Sequence, residues 1–181
     1  MVIVLNPQVT VKKKEEETDE LVAQHSFIFE AFKNDEPAII IEAIYMPANK
    51  MERAEVITRW SPKGDVIIGD FNINGNEFKR DGSRVMKSKA DRLFDAKLEE
   101  FVDCFEKSCR TAVSFPSAGS RIDRAFIEHT LADKYECDYL ACCVSDHHMI
   151  RIRPIEKPKK TKSERRYIPV SLFSNDDYIC E

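Results

Sequence analysis

A mixed α/β fold, with some neighbouring strands joined by tight turns and others by helices, is predicted by three features of this chain. Short β-branched and apolar runs recur at residues 27–32, 38–45, 65–69, 121–127 and 149–155. Some of these runs are separated by segments with helical apolar spacing, and others only by a turn cluster. Strands and helices therefore alternate only in part, which favours a mixed α/β sandwich over an all-parallel doubly wound sheet.

Taken in order, residues 1–5 form a short β-branched run expected to lie inside a sheet already. Lys12-Lys13-Lys14 followed by Glu15-Glu16-Glu17 reads as a solvated hairpin tip or loop. The runs 27–32 and 38–45 flank Asn34-Asp35-Glu36-Pro37, a turn cluster that predicts a hairpin, and Pro47 ends its second strand. Residues 49–60 read as a helix, with Met51, Ala54, Ile57 and Trp60 at helical spacing, broken by Ser61-Pro62-Lys63-Gly64. Residues 65–69 are continuously apolar after Asp65, the pattern of a strand buried on both faces. A polar loop over 74–89 leads to an amphipathic helix over 89–101, with Leu93, Phe94, Leu98, Phe101 and Val102 facing inward. Strands are then expected at 112–115, 121–127, 139–144 and 149–155, with a helical turn near 130–134.

The 181 residues, 43% of them hydrophobic, suit one globular domain, placed at 1–155, followed by a basic linker and short apolar tail at 156–181. A net charge of −4 and a pI near 5.7 argue against attachment to nucleic acid by overall charge, although residues 151–166 alone carry +6. With no signal peptide and no apolar run of about 18 residues, an intracellular protein of nucleus or cytoplasm is expected, without a membrane role. The six cysteines then read as thiols. A zinc site from Cys137, Cys142, Cys143, His147 and His148 is disfavoured, because adjacent cysteines on a strand point to opposite faces.

Three strand ends carry groups suited to chemistry. In Gly69-Asp70-Phe71-Asn72, Asp70 and Asn72 are two apart and face the same way, offering a carboxylate to hold or deprotonate water and an amide to steady a phosphate oxygen. Ordinary turn capping is the plainer account of the same residues. In Ser145-Asp146-His147, Asp146 is an oxygen ligand suited to magnesium and His147 bears a proton near neutrality, though a surface turn also explains them. Asp123 sits in a strand, where a carboxylate needs a partner: a histidine, or a salt bridge to Arg121 or Arg124. Tyr45, before Met46-Pro47, reads as strand packing and gains interest only in the company of the other groups.

In sequence order, Tyr45-x-Pro47, Gly69-Asp70-Phe71-Asn72, Ser120-Arg121-Ile122-Asp123 and Ser145-Asp146-His147 resemble the endonuclease/exonuclease/phosphatase superfamily, of which exonuclease III-like apurinic/apyrimidinic endonucleases are members. Ser120–Asp123 and the 166–173 tail look most like the endonuclease domain and connector of non-LTR retrotransposon polyproteins. The resemblance implies a four-layer sandwich of two mixed sheets flanked by helices, and magnesium-dependent hydrolysis of a DNA phosphodiester by direct water attack, with Mn2+ as a substitute ion. It implies that Asp70 orients or deprotonates the water with Asn72 as its partner, and that Asp123 orients His147 toward the phosphate. Tyr45 would donate nearby, Asp146 would hold the metal, and Asp70 and Asn72 would also lie at the metal. DNA is the implied partner, with no obligate protein partner, and a reverse transcriptase would follow in an intact element.

The superfamily also has an asparagine at the end of its first strand and a metal-binding glutamate, both well upstream of Tyr-x-Pro. Neither has a counterpart before Tyr45: Asn6 lies too close to it, and Glu15–Glu17 sit in a charged loop. The chain is therefore expected to correspond to the C-terminal half to two-thirds of such a domain, with little or no nuclease activity as it stands. Two other readings stay open: an inositol-phosphate or phospholipid phosphatase of the same fold, and a non-catalytic nucleic-acid-binding fragment using residues 151–166.

Overall fold

The computed structural model describes residues 9–14, 19–33, 36–76, 82–105, 113–142 and 145–155. Six strands form one mixed sheet: β1 (Val9–Lys14), β2 (Ser26–Lys33), β3 (Glu36–Tyr45), β4 (Val66–Asp70), β5 (Phe101–Asp103) and β6 (Asp123–Glu128), in the order β1-β2-β3-β4-β6-β5. A second, two-stranded sheet pairs β7 (Tyr135–Leu140) with β8 (Met149–Pro154). The mixed α/β class read from the sequence is the one observed. Strands β3 and β4 are parallel and the other paired neighbours antiparallel. Parallel neighbours need a crossover, and helix α2 (Lys50–Arg59) supplies it.

Helix α2 starts where Asn49 Oδ1 accepts the N–H groups of Met51 and Glu52, at 2.9 and 3.3 Å. Its inward face is Arg53, Val56 and Ile57, continued by Trp60. Met51, read as part of that face, is 84% exposed. It falls in the first turn, on the side away from the sheet. Helix α3 (Lys89–Lys97) opens on a capping box, in which Ser88 Oγ accepts Asp91 N–H and the Asp91 carboxylate accepts Ser88 N–H.

Helix α3 is shorter than expected. Phe101 and Val102 continue its apolar pattern but belong to β5, where Phe101–Asp103 pair with Phe126–Glu128. Leu93, read as inward, is exposed, while Phe94 and Leu98 are buried. Lys97 Nζ donates to the carbonyls of Thr58 and Trp60, tying the end of α2 to α3 and satisfying carbonyls that a helix end leaves open.

The helices cover one face of the sheet. Trp60, Phe71, Phe94 and Phe126 fill that core, with Phe71 and Phe126 edge to face at 5.3 Å and Phe71 and Phe94 at 5.1 Å. Beside them Glu42 is a fully buried carboxylate that accepts from Trp60 Nε1, Ser26 Oγ and the backbone N–H groups of Lys63 and Gly64. Four donors offset its desolvation and fasten β2, β3 and the turn before β4 together.

Other expectations differ in detail. Lys12–Lys14 are not a hairpin tip but the end of edge strand β1, paired with Ile28–Glu30. The four-residue helix α1 (Glu20–Ala23) was not anticipated. Residues 113–115 form no strand; Phe115 makes an isolated bridge to Ser120. Strand β7 begins at Tyr135, four residues before the expected start. The run 1–5, the triplet Glu15–Glu17 and the 156–181 tail lie outside the described residues.

Candidate active site

Sheet register builds the site. Tyr45 in β3 lies opposite Asp70 in β4, and Asp70 lies opposite Asp123 in β6, so three strands deliver their ends in one transverse row. Side chains alternate along a strand. Phe71 and Phe126 therefore enter the helix-covered core while Asp70 and Asp123 present on the opposite face.

Gly69 explains how β4 comes so close to β3. Its φ is +158°, and a Cβ built there would lie 1.7 Å from the Ile44 carbonyl oxygen. No side chain fits without separating the strands that align Tyr45 and Asp70. Gly69→Ala is expected to destabilise by at least ~1–3 kcal/mol, read as a fall in Tm with loss of the β3–β4 amide protection in hydrogen exchange.

After Asp70 the chain turns sharply. Asn72 has φ +50°, a left-handed conformation that asparagine tolerates better than most residues. Its N–H donates to Asp70 Oδ1 at 2.9 Å, and its Nδ2 to the Met46 carbonyl at 2.8 Å and Asp70 Oδ2 at 3.4 Å. The amide nitrogen expected to meet a phosphate is thus engaged within the protein, and Oδ1 holds the remaining capacity. On the other side, Arg53 Nη1 donates to the carbonyls of Pro47 and Ala48, fixing the turn that follows Tyr45.

Asp123 pairs with a histidine. His147 Nδ1 lies 2.9 Å from Asp123 Oδ2. An ionised carboxylate only accepts, so Nδ1 carries a proton and Nε2 remains for a ligand. Asp70, Asp123 and His147 each place one ligand-capable atom within 4.8 Å of the others. Burial opposes charge on His147, but the Asp123 hydrogen bond and the charges of Asp123, Asp70 and Asp146 outweigh it and hold the imidazole above its usual pKa. Asp70 is also raised: burial and the Asp123 charge outweigh the Asn72 N–H, His147 and Arg53.

The remaining expected residues stand further out. Tyr45 is 50% exposed, its ring 6.2 Å from that of His25. Asp146 is exposed and is not in the close cluster, although its charge reaches His147. The salt bridges considered for Asp123 go elsewhere, since Arg121 Nη1 and Arg124 Nη2 both meet Asp103 Oδ2, at 2.7 and 2.8 Å. Among the described residues, Cys104, Cys137 and Cys142 are in no disulfide.

The Asp70 carboxylate, with raised proton affinity, faces Asp123, and the Asn72 amide oxygen accepts no hydrogen bond among the described residues; such oxygen donors suit a hard divalent cation. Sequence reasoning missed the scaffold around it. Ser114, Asp103 and Phe115, whose ring lies 4.6 Å from that of His147, carry no motif.

No family model and no curated protein matches the chain. Among solved structures, the endonuclease domain of TRAS1, a telomere-specific non-LTR retrotransposon, is similar in fold. Its TM-score is 0.56, with 14% sequence identity, over 82% of this chain and 68% of that one. The chain has an endonuclease-like fold, and no described helix is long and apolar enough to cross a membrane.

Proposed function

We propose that this chain carries the chemistry of a magnesium-dependent DNA endonuclease of the retroelement type, hydrolysing a phosphodiester by in-line attack of water. The observation that supports it best is the Asp123–His147 ion pair set against Asp70 on one strand-end row. Phosphodiester hydrolysis needs an oriented water, a donor to the developing charge on phosphorus and a counter-charge.

Asp70 is the group to orient and deprotonate the water. Its raised proton affinity makes it a better base than an ordinary surface aspartate, and Asn72 fixes its rotamer. His147, kept protonated by Asp123, is the donor to the phosphate, and Tyr45 stands at the open end of the row as a second donor. Asp70, Asn72 Oδ1 and Asp146 would hold Mg2+, or Mn2+ in its place, which would supply charge neutralisation at the phosphate when bound. DNA as substrate rests on the TRAS1 likeness in fold and on the +6 stretch at 151–166. A reverse transcriptase downstream belongs to the same reading.

So few oxygen ligands predict weak cation binding and slow turnover. The test is nicking of supercoiled plasmid across a titration of Mg2+ and of Mn2+, alongside Tm. Cation-dependent relaxation of the plasmid, a Tm rise on adding cation, and loss of both with EDTA or in Asp70→Ala are expected. Absence of both nicking and the Tm rise, or nicking that survives Asp70→Ala, overturns the reading.

A further inference from the structure

We propose that Ser114 is a positioning residue of this site: through its side chain and its carbonyl it anchors the backbones bearing Asp123 and His147, and so sets the ion pair between them. Ser114 is completely buried. Its Oγ accepts two consecutive backbone N–H groups, from Ile122 at 3.0 Å and Asp123 at 2.8 Å. Its own N–H donates to the Ser120 carbonyl at 3.0 Å, closing the loop that leads into β6. Its carbonyl accepts His148 N–H at 2.8 Å. One residue thus satisfies groups on both chain segments that deliver the ion pair.

The neighbours of Ser114 reinforce that reading. The Val113 carbonyl lies 3.0 Å from His148 Nδ1, which pins the residue next to His147. The Phe115 ring lies 4.6 Å from the His147 ring and limits its rotation about χ2. The Asp123 side chain meets His147 Nδ1, so its placement follows from where its backbone is held. Tyr139 Oη donates to the Asp123 carbonyl at 2.6 Å, and the strand pairing with Asp70 acts on backbone, so the Oγ contact sets where β6 begins. An acceptor on a buried side chain is hard to replace, because water does not reach the two N–H groups it serves.

The kinetic half of the test rests on the function proposed above, and the spectroscopic half does not. In metal-free protein without substrate, the His147 Nδ1–H held by Asp123 is expected to give a downfield proton resonance at low temperature. Ser114→Ala is expected to broaden or abolish that resonance. In the cleavage assay it lowers kcat about 10²-fold, as misplacement of catalytic groups by about 1 Å does, with KM unchanged. Ser114→Cys keeps the size of the side chain but is a weak acceptor, and is expected to act in the same direction. It decides the matter if the alanine variant does not fold. A folded variant of either kind that keeps the wild-type resonance overturns the proposal, as does a loss seen only in KM. If the wild-type chain neither binds cation nor nicks DNA, the endonuclease reading fails while the resonance still tests the role of Ser114.

Discussion

Replacing His147 by glutamine is expected to lower cation-dependent nicking by about 10²–10⁴-fold, the range for removing a positioned proton donor. Replacing Asp123 by asparagine should lower it by a comparable factor and also move the alkaline limb of the pH profile. The sign follows from the site. Burial alone would favour neutral imidazole, whereas the Asp123 hydrogen bond and the carboxylates of Asp123, Asp70 and Asp146 favour imidazolium, and the balance lies above the usual histidine value. A donor acts while protonated, so wild-type activity falls as pH rises through that elevated pKa. Asp123→Asn removes the leading favourable contributions and leaves burial opposed by the Asp70 and Asp146 charges alone, so the limb moves to lower pH.

The same linkage governs stability. A histidine whose pKa is raised on folding contributes stability that is complete below its unfolded value and is lost as pH rises through the folded one. Asp123→Asn should therefore lower Tm more in mildly acidic buffer than at alkaline pH. An unmoved alkaline limb in Asp123→Asn would mean that His147 is not the titrating donor. Without cation, burial and the Asp123 charge outweigh the Asn72 N–H, His147 and Arg53 and keep the Asp70 carboxyl above its ordinary value.

Much of this site was legible because it lies on strands. The apolar run 65–69 and the alternation through Asp70, Phe71 and Asn72 were enough to send Phe71 inward and the polar pair together. What was not legible is instructive. Arg124 was a candidate partner for Asp123, yet adjacent residues in a strand face opposite ways, and Arg124 lies 4.4 Å over the Phe126 ring on the helix-covered side. Phe101 and Val102 satisfied a helical pattern equally well, and only pairing with Ile127 and Glu128 decided for a strand. Lys12–Lys14 alternate no apolar face, so an edge strand looked like a loop. Ser114 and Asp103 act through tertiary contacts with residues far along the chain, and a single serine or aspartate in a loop or at a strand edge signals nothing beforehand.

Asp103 is where the largest loss of stability is expected. It is buried at the end of β5 and accepts from Arg121 Nη1 through both oxygens, at 2.9 and 2.7 Å, and from Arg124 Nε and Nη2 at 2.9 and 2.8 Å. Asp103→Ala leaves two buried guanidinium groups without their counter-charge, and removing one partner of such a pair costs about 3–5 kcal/mol. Denaturant titration should show that loss, and a change below about 1 kcal/mol would remove Asp103 from this role.

The acid response has a definite sign. Burial raises the Asp103 pKa, but Arg124 and Arg121 outweigh it and the net shift is downward. Its contribution is therefore present above the unfolded carboxylate value and is lost as pH falls through the folded one. Stability alone is not the purpose of the cluster, since replacing all three charges by apolar residues of similar volume is often close to neutral. Arg121 also donates to the Gly75 carbonyl at 2.8 Å and Asn76 Oδ1 at 3.3 Å, accepts Gly75 N–H on its carbonyl, and donates its N–H to Asn74 Oδ1. These contacts clamp the segment that follows Asn72. A Asp103→Leu, Arg121→Met, Arg124→Met triple variant should accordingly keep most of its Tm yet nick DNA more slowly than wild type. Undiminished nicking in that variant would show that Asn72 holds its left-handed turn unaided.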